Sequence, residues 1–417
     1  MLTVATLILF AIVLTELAFE SLVDWLNLKA LDPRLPDEFK GYYDEDRYRT
    51  SQLYLKERTR FGFIQRGVTA VVLVLAVLLG FFNWADLIAR GASESPIVAG
   101  LLFVGLLGGA SWLAGLPFSL YSTFVIEEKY GFNRTTLKTY AGDQLKGLLL
   151  GAILGGLVAA AVFWFFESFG TKAWLWAWLM VTAIQLIMMF LAPVIILPLF
   201  NKYTPLASGE LKTAIENFAQ KENFKLEGIF TMDGSKRSTK ANAFFTGFGR
   251  FRRIVLFDTL IAKQTVNELV AVLAHEIGHY KRRHIFRQLY LSIAVSGATF
   301  FLMGQFLNNE FFFEAFRVQN VSVYASLVFF GIFYSPISRV LSLYGLYLSR
   351  KYEFEADDYS VAAFKDAEAL VTALKKLSVD NLANLKPHWL KVFVDYTHPP
   401  VLERIAALRA GARKATA

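Results

Sequence analysis

The stretch AVLAHEIGHYKRRH, residues 271–284, leads into the apolar run LYLSIAVSGATFFLMGQFL, residues 289–307. The first stretch carries three of the five histidines in the chain, and the second is long enough to enter a lipid bilayer. His275 and His279 are four residues apart, so a helix places both imidazoles on one face. The pattern predicts a cluster of ionisable side chains directly before a membrane helix.

The composition of the 417 residues indicates a membrane protein. Hydrophobic residues make up 55% of the chain and charged residues 19%, below the roughly 25% of an average soluble domain. The net charge of +8 does not favour a nucleic-acid partner, because the basic residues fall in loops between apolar spans, as cytoplasmic loops do. The chain has no Cys, which excludes disulfides and thiolate catalysis, so a metal site would use His and carboxylates.

Seven segments are long and apolar enough to span a bilayer, which takes roughly 20 residues in a helix. They are 3–23, 67–85, 98–125, 147–167, 173–198, 288–308 and 322–345. The first lacks a basic leader and a cleavage site, and we expect it to be retained. The loop 25–66 contains nine Lys and Arg residues, whereas the next loop contains only Arg90. Since basic loops face the cytoplasm, we expect the N-terminus outside and the C-terminus in the cytoplasm.

These spans divide the chain into four regions. Residues 1–200 hold five N-terminal spans, and 201–287 form a cytoplasmic catalytic region. Residues 288–345 hold spans six and seven, and 346–417 form a cytoplasmic helical region that completes the metal site. Within the catalytic region, the runs GIFTMDGSKRS and ANAFFTGFGRFRRIVLFDTLI predict short strands and a hairpin. The predicted fold class is mainly α, with about seven transmembrane helices and a small α/β domain.

His275, Glu276 and His279 form the H-E-x-x-H pattern of zinc hydrolases, in which the two His bind the metal and the Glu is the general base. Zinc lowers the pKa of its bound water to about 7 and polarises a substrate carbonyl. Gly278 is predicted to leave room beside the metal. The pattern alone also fits exposed helix histidines that bind no metal, so a third ligand is needed to distinguish the two.

The stretch SRKYEFEADDYS, residues 349–360, offers carboxylates at the same membrane face. A catalytic zinc needs three protein ligands and one open position. Glu353 and Asp357 are four apart on one helix face. We predict Glu353 as the third ligand of one Zn²⁺ per chain, and Asp357 as the acceptor that orients a ligand histidine. Glu355 and Asp358 lie on other faces and are predicted to be solvated.

Five motifs then follow one another along the chain. They are EEKYGFNRTT at 127–136, DGSKRSTKANAFFTGFG at 233–249, HEIGH at 275–279, EFEAD at 353–357 and HPPVLERI at 398–405. Together with the seven spans, they resemble the CAAX prenyl protease 1 family (type I CAAX endopeptidases), which are integral-membrane zinc metalloproteases of gluzincin-like type. The resemblance covers essentially the whole chain. It implies a ring of seven helices around a water-filled chamber, with the zinc site at the cytoplasmic side.

The resemblance also implies a reaction and residue roles. The substrate would be a prenylated or membrane-embedded peptide or protein, cut to release the C-terminal tripeptide of a C-a-a-X sequence. His398 would help to stabilise the oxyanion, and Arg404 would support the site electrostatically. An extended substrate would pair with the edge strand 242–248, whose substrate-binding residues would be Asn242, Ala243 and Phe244.

The residues alone leave simpler roles open for several of these positions. His398 also fits a turn before a helix, Arg404 a surface ion pair with Glu403, and Asn242 an ordinary turn. His284 and His388 have no motif support, and His284 is predicted to belong to an interfacial basic collar. Arg339 near the inner end of span seven is predicted to snorkel, with a role facing the site as the alternative.

Two other functions stay open beside the favoured zinc endopeptidase acting on prenylated substrates. One is quality control of misfolded membrane proteins. The other is a metal-binding transporter or scaffold, which is disfavoured because charges within the spans are few and transporters need polar sites at the midplane. The tail GARKATA has no retrieval signal, which favours a bacterial inner membrane over the endoplasmic reticulum. The sequence does not predict the oligomeric state.

Overall fold

A computed structural model describes residues 2–246 and 253–416 as a largely helical chain with one small sheet. Among these residues, seven helical segments are long and apolar enough to cross a membrane, which confirms the predicted number of spans. They are Val4–Lys29, Glu45–Leu78, Pro96–Glu127, Leu137–Ser168, Gly170–Phe200, His284–Gln305 and Val323–Phe364. The chamber implied by the resemblance stays a prediction.

The individual helices follow in chain order. Those of the first half are α1 (Val4–Lys29), α2 (Glu45–Leu78), α3 (Phe81–Ala92), α4 (Pro96–Tyr121), α5 (Leu137–Leu150), α6 (Gly156–Ser168), α7 (Ala173–Leu191) and α8 (Leu197–Phe200). Those of the second half are α9 (Glu210–Lys221), α10 (Asp258–Ile261), α11 (Val266–Lys281), α12 (His284–Gln305), α13 (Glu310–Phe316), α14 (Val323–Phe364), α15 (Ala367–Asp380), α16 (Trp389–Asp395) and α17 (Val401–Thr416).

Two predicted span boundaries are wrong. Helix α2 begins at Glu45, well before residue 67, because Asp44 caps it by accepting a hydrogen bond from the Arg47 backbone N–H at 2.6 Å. It ends before Gly80, whose φ of 74° breaks the helix, so the predicted span 67–85 is divided between α2 and α3. Helix α14 continues from the membrane to Phe364, so the boundary between 288–345 and 346–417 falls inside one helix.

The sheet contains four strands: β1 (Tyr203–Pro205), β2 (Gly228–Met232), β3 (Ala243–Thr246) and β4 (Arg253–Phe257). Their order is β1-β2-β4-β3, with β2 and β4 parallel and the other neighbours antiparallel. The predicted strands are therefore present, with β3 antiparallel to β4 and at one edge of the sheet. Residues 247–252, which include Gly247 and Phe248 of the predicted edge strand, lie outside the described residues, and so does the turn of the predicted hairpin.

Four hydrophobic clusters are buried among the described residues, and two of them show how the site is placed. One lies among α1, α3, α4, α13 and α14, and includes the fully buried rings of Phe103, Phe316 and Phe329. The other joins the sheet to α9 and to one face of α11, where Leu273 and Ile277 are buried. The second core leaves the opposite face of α11, which carries the two motif histidines, free to meet α14.

Candidate metal centre and active site

Helices α11 and α14 bring the candidate site together. Helix α11 begins at a capping box in which Thr265 and Glu268 bond each other's backbone, and Lys376 holds Glu268 at 2.8 Å. Gly278 lies where the two helices touch, because a Cβ there would be 3.0 Å from the Cα and the carbonyl oxygen of Ala356 on α14. Gly278, predicted to leave room for a metal, instead allows the close helix crossing.

His275, His279 and Glu353 face one another at this crossing. The two imidazole Nε2 atoms are 3.2 Å apart, and Glu353 oxygens lie 3.2 Å from His279 Nε2 and 3.5 Å from His275 Nε2. Zinc bonds of about 2.0–2.1 Å in a tetrahedron separate the ligand atoms by about 3.3 Å. Glu353 Oε2 is also buried, and its nearest charged neighbour is Arg404 Nη1 at 3.1 Å, without hydrogen-bond geometry. The three side chains therefore fit a zinc ion.

Two further residues lie behind these side chains. Asp357 Oδ1 is 2.8 Å from His275 Nδ1, so Nδ1–H donates to it and the Nε2 lone pair points to the metal position. Arg404 is only 7% exposed; it donates to both Asp357 oxygens at 2.7 and 2.8 Å and lies 3.1 Å from Glu353 Oε2. It is therefore a buried member of the site and not a surface partner of Glu403.

The charges of these groups depend on one another. Burial alone would lower the pKa of His275, but the carboxylates of Asp357 and Glu353 raise it to about 9. Burial would also lower the pKa of the Arg404 guanidinium, and the same two carboxylates raise it. Arg404 thus balances part of the buried negative charge, which would be costly if left unpaired. A metal ion bound here would displace a proton from His275.

Glu276 and His398 complete the candidate site. Glu276 is half-buried, beside the first histidine of α11. His398 Nε2 is 3.4 Å from Glu353 Oε1, and His398 Nδ1 is 2.8 Å from the Thr397 hydroxyl. The His398 ring is 62% exposed and lines a cavity of about 700 Å³ that reaches Arg58 on α2. The arrangement favours a role for His398 in the site over a role in the turn.

A second histidine pair was missed by the sequence interpretation. His284 is 2% exposed; its Nδ1 lies 3.0 Å from His279 Nδ1, and its Nε2 lies 3.0 Å from Glu355 Oε2. The ring stacks on Tyr352 with centroids 4.3 Å apart. The contacts are satisfied when His279 Nδ1–H donates to His284 and His284 Nε2–H donates to Glu355. The predictions of an interfacial His284 and a solvated Glu355 are therefore wrong.

The remaining predicted residues have other surroundings. Asp358 is exposed, as predicted. His388 caps α16, because its Nδ1 accepts a hydrogen bond at 3.2 Å from the backbone N–H two residues later. Arg339, predicted to snorkel, instead pairs with Glu20 and lies 3.4 Å from Asp395.

The three predicted substrate-binding residues lie at the sheet edge. Asn242 directly precedes β3, and its carbonyl accepts a hydrogen bond from the Phe257 backbone N–H at 3.1 Å. Bonded pairs alternate along an antiparallel ladder, so the backbone groups of Phe244 face β4. Those of Ala243 and Phe245 therefore face the edge, which has no neighbouring strand in the described part of the chain.

The edge strand is attached to the helix that carries the histidines. The Phe245 ring contacts Tyr280 of α11, with ring centroids 6.5 Å apart. At the other end, Asn381 holds Ala241 by two hydrogen bonds, accepting from its N–H at 3.2 Å and donating to its carbonyl at 3.3 Å. The edge of β3 is thus fixed relative to His279, the residue before Tyr280.

Comparison with known proteins identifies the family. The family described as "CAAX prenyl protease N-terminal, five membrane helices" matches residues 24–202, and peptidase family M48 matches residues 205–412. CAAX prenyl protease 1 homologs of Oryza sativa and Arabidopsis thaliana are 35% and 36% identical, each match covering 94% of both chains. The CAAX prenyl protease 1 of Saccharomyces cerevisiae is 31% identical, over 96% of this chain and 94% of its own length.

A solved structure agrees with these matches. The crystal structure of S. mikatae Ste24p superposes with a TM-score of 0.89 at 31% sequence identity, covering 97% of this chain and 99% of that one. The likeness extends over the membrane helices and the sheet, and it favours a protease over a metal-binding transporter. The chain therefore belongs to the CAAX prenyl protease 1 family, within peptidase family M48, and is a multi-pass membrane metalloendopeptidase.

Proposed function

We propose that this protease is a zinc enzyme that removes the C-terminal tripeptide from prenylated C-a-a-X proteins. The observation that carries the proposal is the near-tetrahedral spacing of His275, His279 and Glu353, at 3.2–3.5 Å, beside Glu276 and an open cavity. Zinc bound by these three ligands would supply a Lewis acid for the scissile carbonyl and acidify a water molecule. The names of the relatives support the prenylated substrate.

In the proposed reaction, Glu276 takes a proton from the attacking water and returns it to the leaving amine. His398 donates a hydrogen bond to the oxygen that becomes negative as the carbonyl carbon turns tetrahedral. Asp357 keeps the His275 tautomer, and Arg404 keeps both Asp357 and Glu353 charged and in place. The active site is preorganised because these buried groups are fixed by hydrogen bonds before the substrate arrives.

The substrate would be held by its backbone. The edge of β3 offers the N–H and C=O groups of Ala243 and Phe245 to an added strand, while Asn242 and Phe244 flank them. Such pairing reads no particular side chain, which suits an enzyme that meets varied C-terminal sequences. The loops rich in Lys and Arg support a cytoplasmic catalytic region and C-terminus, with the N-terminus outside.

The test is product analysis with the purified full chain in detergent. We expect the zinc-loaded protein to release an intact tripeptide from a farnesylated C-a-a-X peptide, at the bond after the modified cysteine. The unprenylated peptide is the matched control and should be a much poorer substrate. Cleavage at other bonds, or equal cleavage of unprenylated and unrelated membrane peptides, would instead favour quality-control proteolysis.

A further inference from the structure

Helices α12 and α14 contact each other at two levels and leave a groove between them. At the end nearer the candidate site, His284 of α12 stacks on Tyr352 of α14, the residue before Glu353. At the other end, the hydroxyl groups of Thr299 on α12 and Tyr334 on α14 are 2.8 Å apart. From Tyr334 to Tyr352, α14 advances by about 27 Å at about 1.5 Å per residue. A cavity of about 630 Å³ lies along this length.

The groove is lined by one stripe from each helix. The apolar part of the lining is Leu291 and Val295 of α12 with Leu341, Gly345 and Leu348 of α14, and polar side chains lie between them, among them Gln288, Ser292, Ser338 and Ser342. These positions follow helical spacing, so each set faces the gap. A Cβ built at Gly345 would have no atom of the described residues within 4 Å, so none of them fills the space in front of this glycine.

The inner end of the groove adjoins the candidate active site. Ser349 lines the groove one helical turn before Glu353, which is about 6 Å along the axis. Thr397 also lines it, and its hydroxyl is 2.8 Å from the ring of His398. The charged groups of Arg339 and Asp395 at the groove lie 3.4 Å apart, so they offset each other's charge.

We infer that this groove binds the isoprenoid chain of the substrate. The inference rests on the proposed function, in which the scissile bond directly follows the prenylated cysteine. The lipid is then attached to the residue that carries the scissile bond, so it begins close to the metal ligands. From there it must continue into an apolar space. The α12–α14 groove begins one turn from Glu353 and runs into spans six and seven, where burial of hydrocarbon is favourable. Its length suits an extended fifteen-carbon chain.

The position of Gly345 allows a test by chain length. Gly345 lies eight residues from Glu353, about 12 Å along the helix, so a farnesyl chain would pass it and a five-carbon prenyl chain would end before it. In Gly345→Phe, we expect the ratio of kcat/KM for farnesylated over five-carbon-prenylated peptide to fall by about tenfold or more, because the ring displaces buried methylene groups. Gly331→Phe, at another open glycine of α14 outside the groove, should keep the wild-type ratio.

A labelling experiment gives a readout that does not depend on turnover. A peptide with a photoreactive group at the end of its farnesyl chain, bound to the full-length Glu276→Gln variant, should label α12 and α14 between residues 291 and 345. Labelling elsewhere, or equal ratios in the two glycine variants, would overturn the groove assignment. Either result would be expected if a phospholipid chain permanently occupied the groove, because the farnesyl chain could not then enter it. If wild type does not cleave the farnesylated peptide at all, the proposed function itself fails.

Discussion

At the scale of single residues, the candidate metal site includes side chains that are not proposed ligands but hydrogen-bond to the proposed ligands. Asp357 orients His275, and the His284–Glu355 pair orients His279. Each ligand histidine thus has its own carboxylate, one directly and one through a second imidazole. Outer hydrogen bonds of this kind fix the ring and its tautomer, and their loss commonly costs about 10–100-fold in metal affinity.

The first prediction separates the acidic residues of α14. Glu353→Ala should abolish zinc binding, because a ligand is lost from a site of three. Asp358→Ala, which changes an exposed carboxylate of the same helix, should retain one zinc per chain. Metal analysis of the purified variants measures both. Zinc loss in Asp358→Ala with retention in Glu353→Ala would refute the ligand assignment.

The second prediction concerns the missed histidine. His284→Phe keeps a ring to stack on Tyr352 but removes both hydrogen bonds, so zinc affinity should fall by about 10–100-fold. Competition with a chelator measures the affinity directly. His388→Phe, which removes a helix cap distant from the site, is the matched control and should bind zinc as wild type does. Unchanged affinity in His284→Phe would show that His279 needs no such support.

The role of His284 could not be predicted from spacing. Five residues after His279, it falls on no shared helix face, and its partner Glu355 is 71 positions away. Glu353 and Asp357 could be predicted as candidate site residues because the signal lies within one short stretch. The site needs carboxylates, and the spacing of four residues places these two on one helix face. For Arg404, the family resemblance implied electrostatic support of the site, whereas its sequence neighbour Glu403 suggested a surface pair, and neither predicted its burial.

At the scale of elements, helices α2 and α14 each continue past a boundary that hydropathy suggests. Helix α14 carries both an apolar candidate span and the two acidic residues of the candidate site, so one continuous helix connects the two. Hydropathy finds the apolar half and misses the charged extension, because nothing in the polarity of α14 after residue 345 indicates membrane. The start of α2 was missed for the same reason, since its signal is the cap at Asp44.

The third prediction tests the edge of β3. Phe245→Pro removes an N–H that faces the edge, and it leaves the ladder to β4 intact. We expect KM for the farnesylated peptide to rise by about tenfold, or turnover to be lost, with zinc content unchanged. Phe245→Ala loses the same ring contact with Tyr280 but keeps the N–H. The difference between the two variants therefore measures the effect of the backbone N–H. Equal kinetics in the two variants would mean that the edge does not hold the substrate.

At the scale of the whole molecule, the number of spans determines the topology. Seven spans would place the two termini on opposite sides of the membrane. The loop 25–66 has nine basic residues and the following loop has only Arg90, and this asymmetry predicts a cytoplasmic C-terminus. The number of spans was predictable because each span is a long uninterrupted apolar segment. The close crossing of α11 and α14 was not, because it depends on Gly278 meeting a backbone 78 positions away.

The fourth prediction is the orientation itself. Reporter fusions after residue 417 and in the loop at Ser208 should report the cytoplasm, whereas a fusion at Ser93 should report the opposite side. The charge distribution gives the reason, because Lys and Arg in short loops are retained in the cytoplasm. A cytoplasmic signal from Ser93 would contradict the proposed orientation.

The measurement that tests the central claim most directly is turnover by Glu276→Gln with its zinc in place. The substitution keeps the size of the side chain and removes the base, so cleavage of the farnesylated peptide should fall by at least about 10²–10⁴-fold while one zinc per chain remains bound. Glu403→Gln, the same change at an exposed position, should cleave at the wild-type rate. Near-normal turnover by zinc-replete Glu276→Gln would contradict the account.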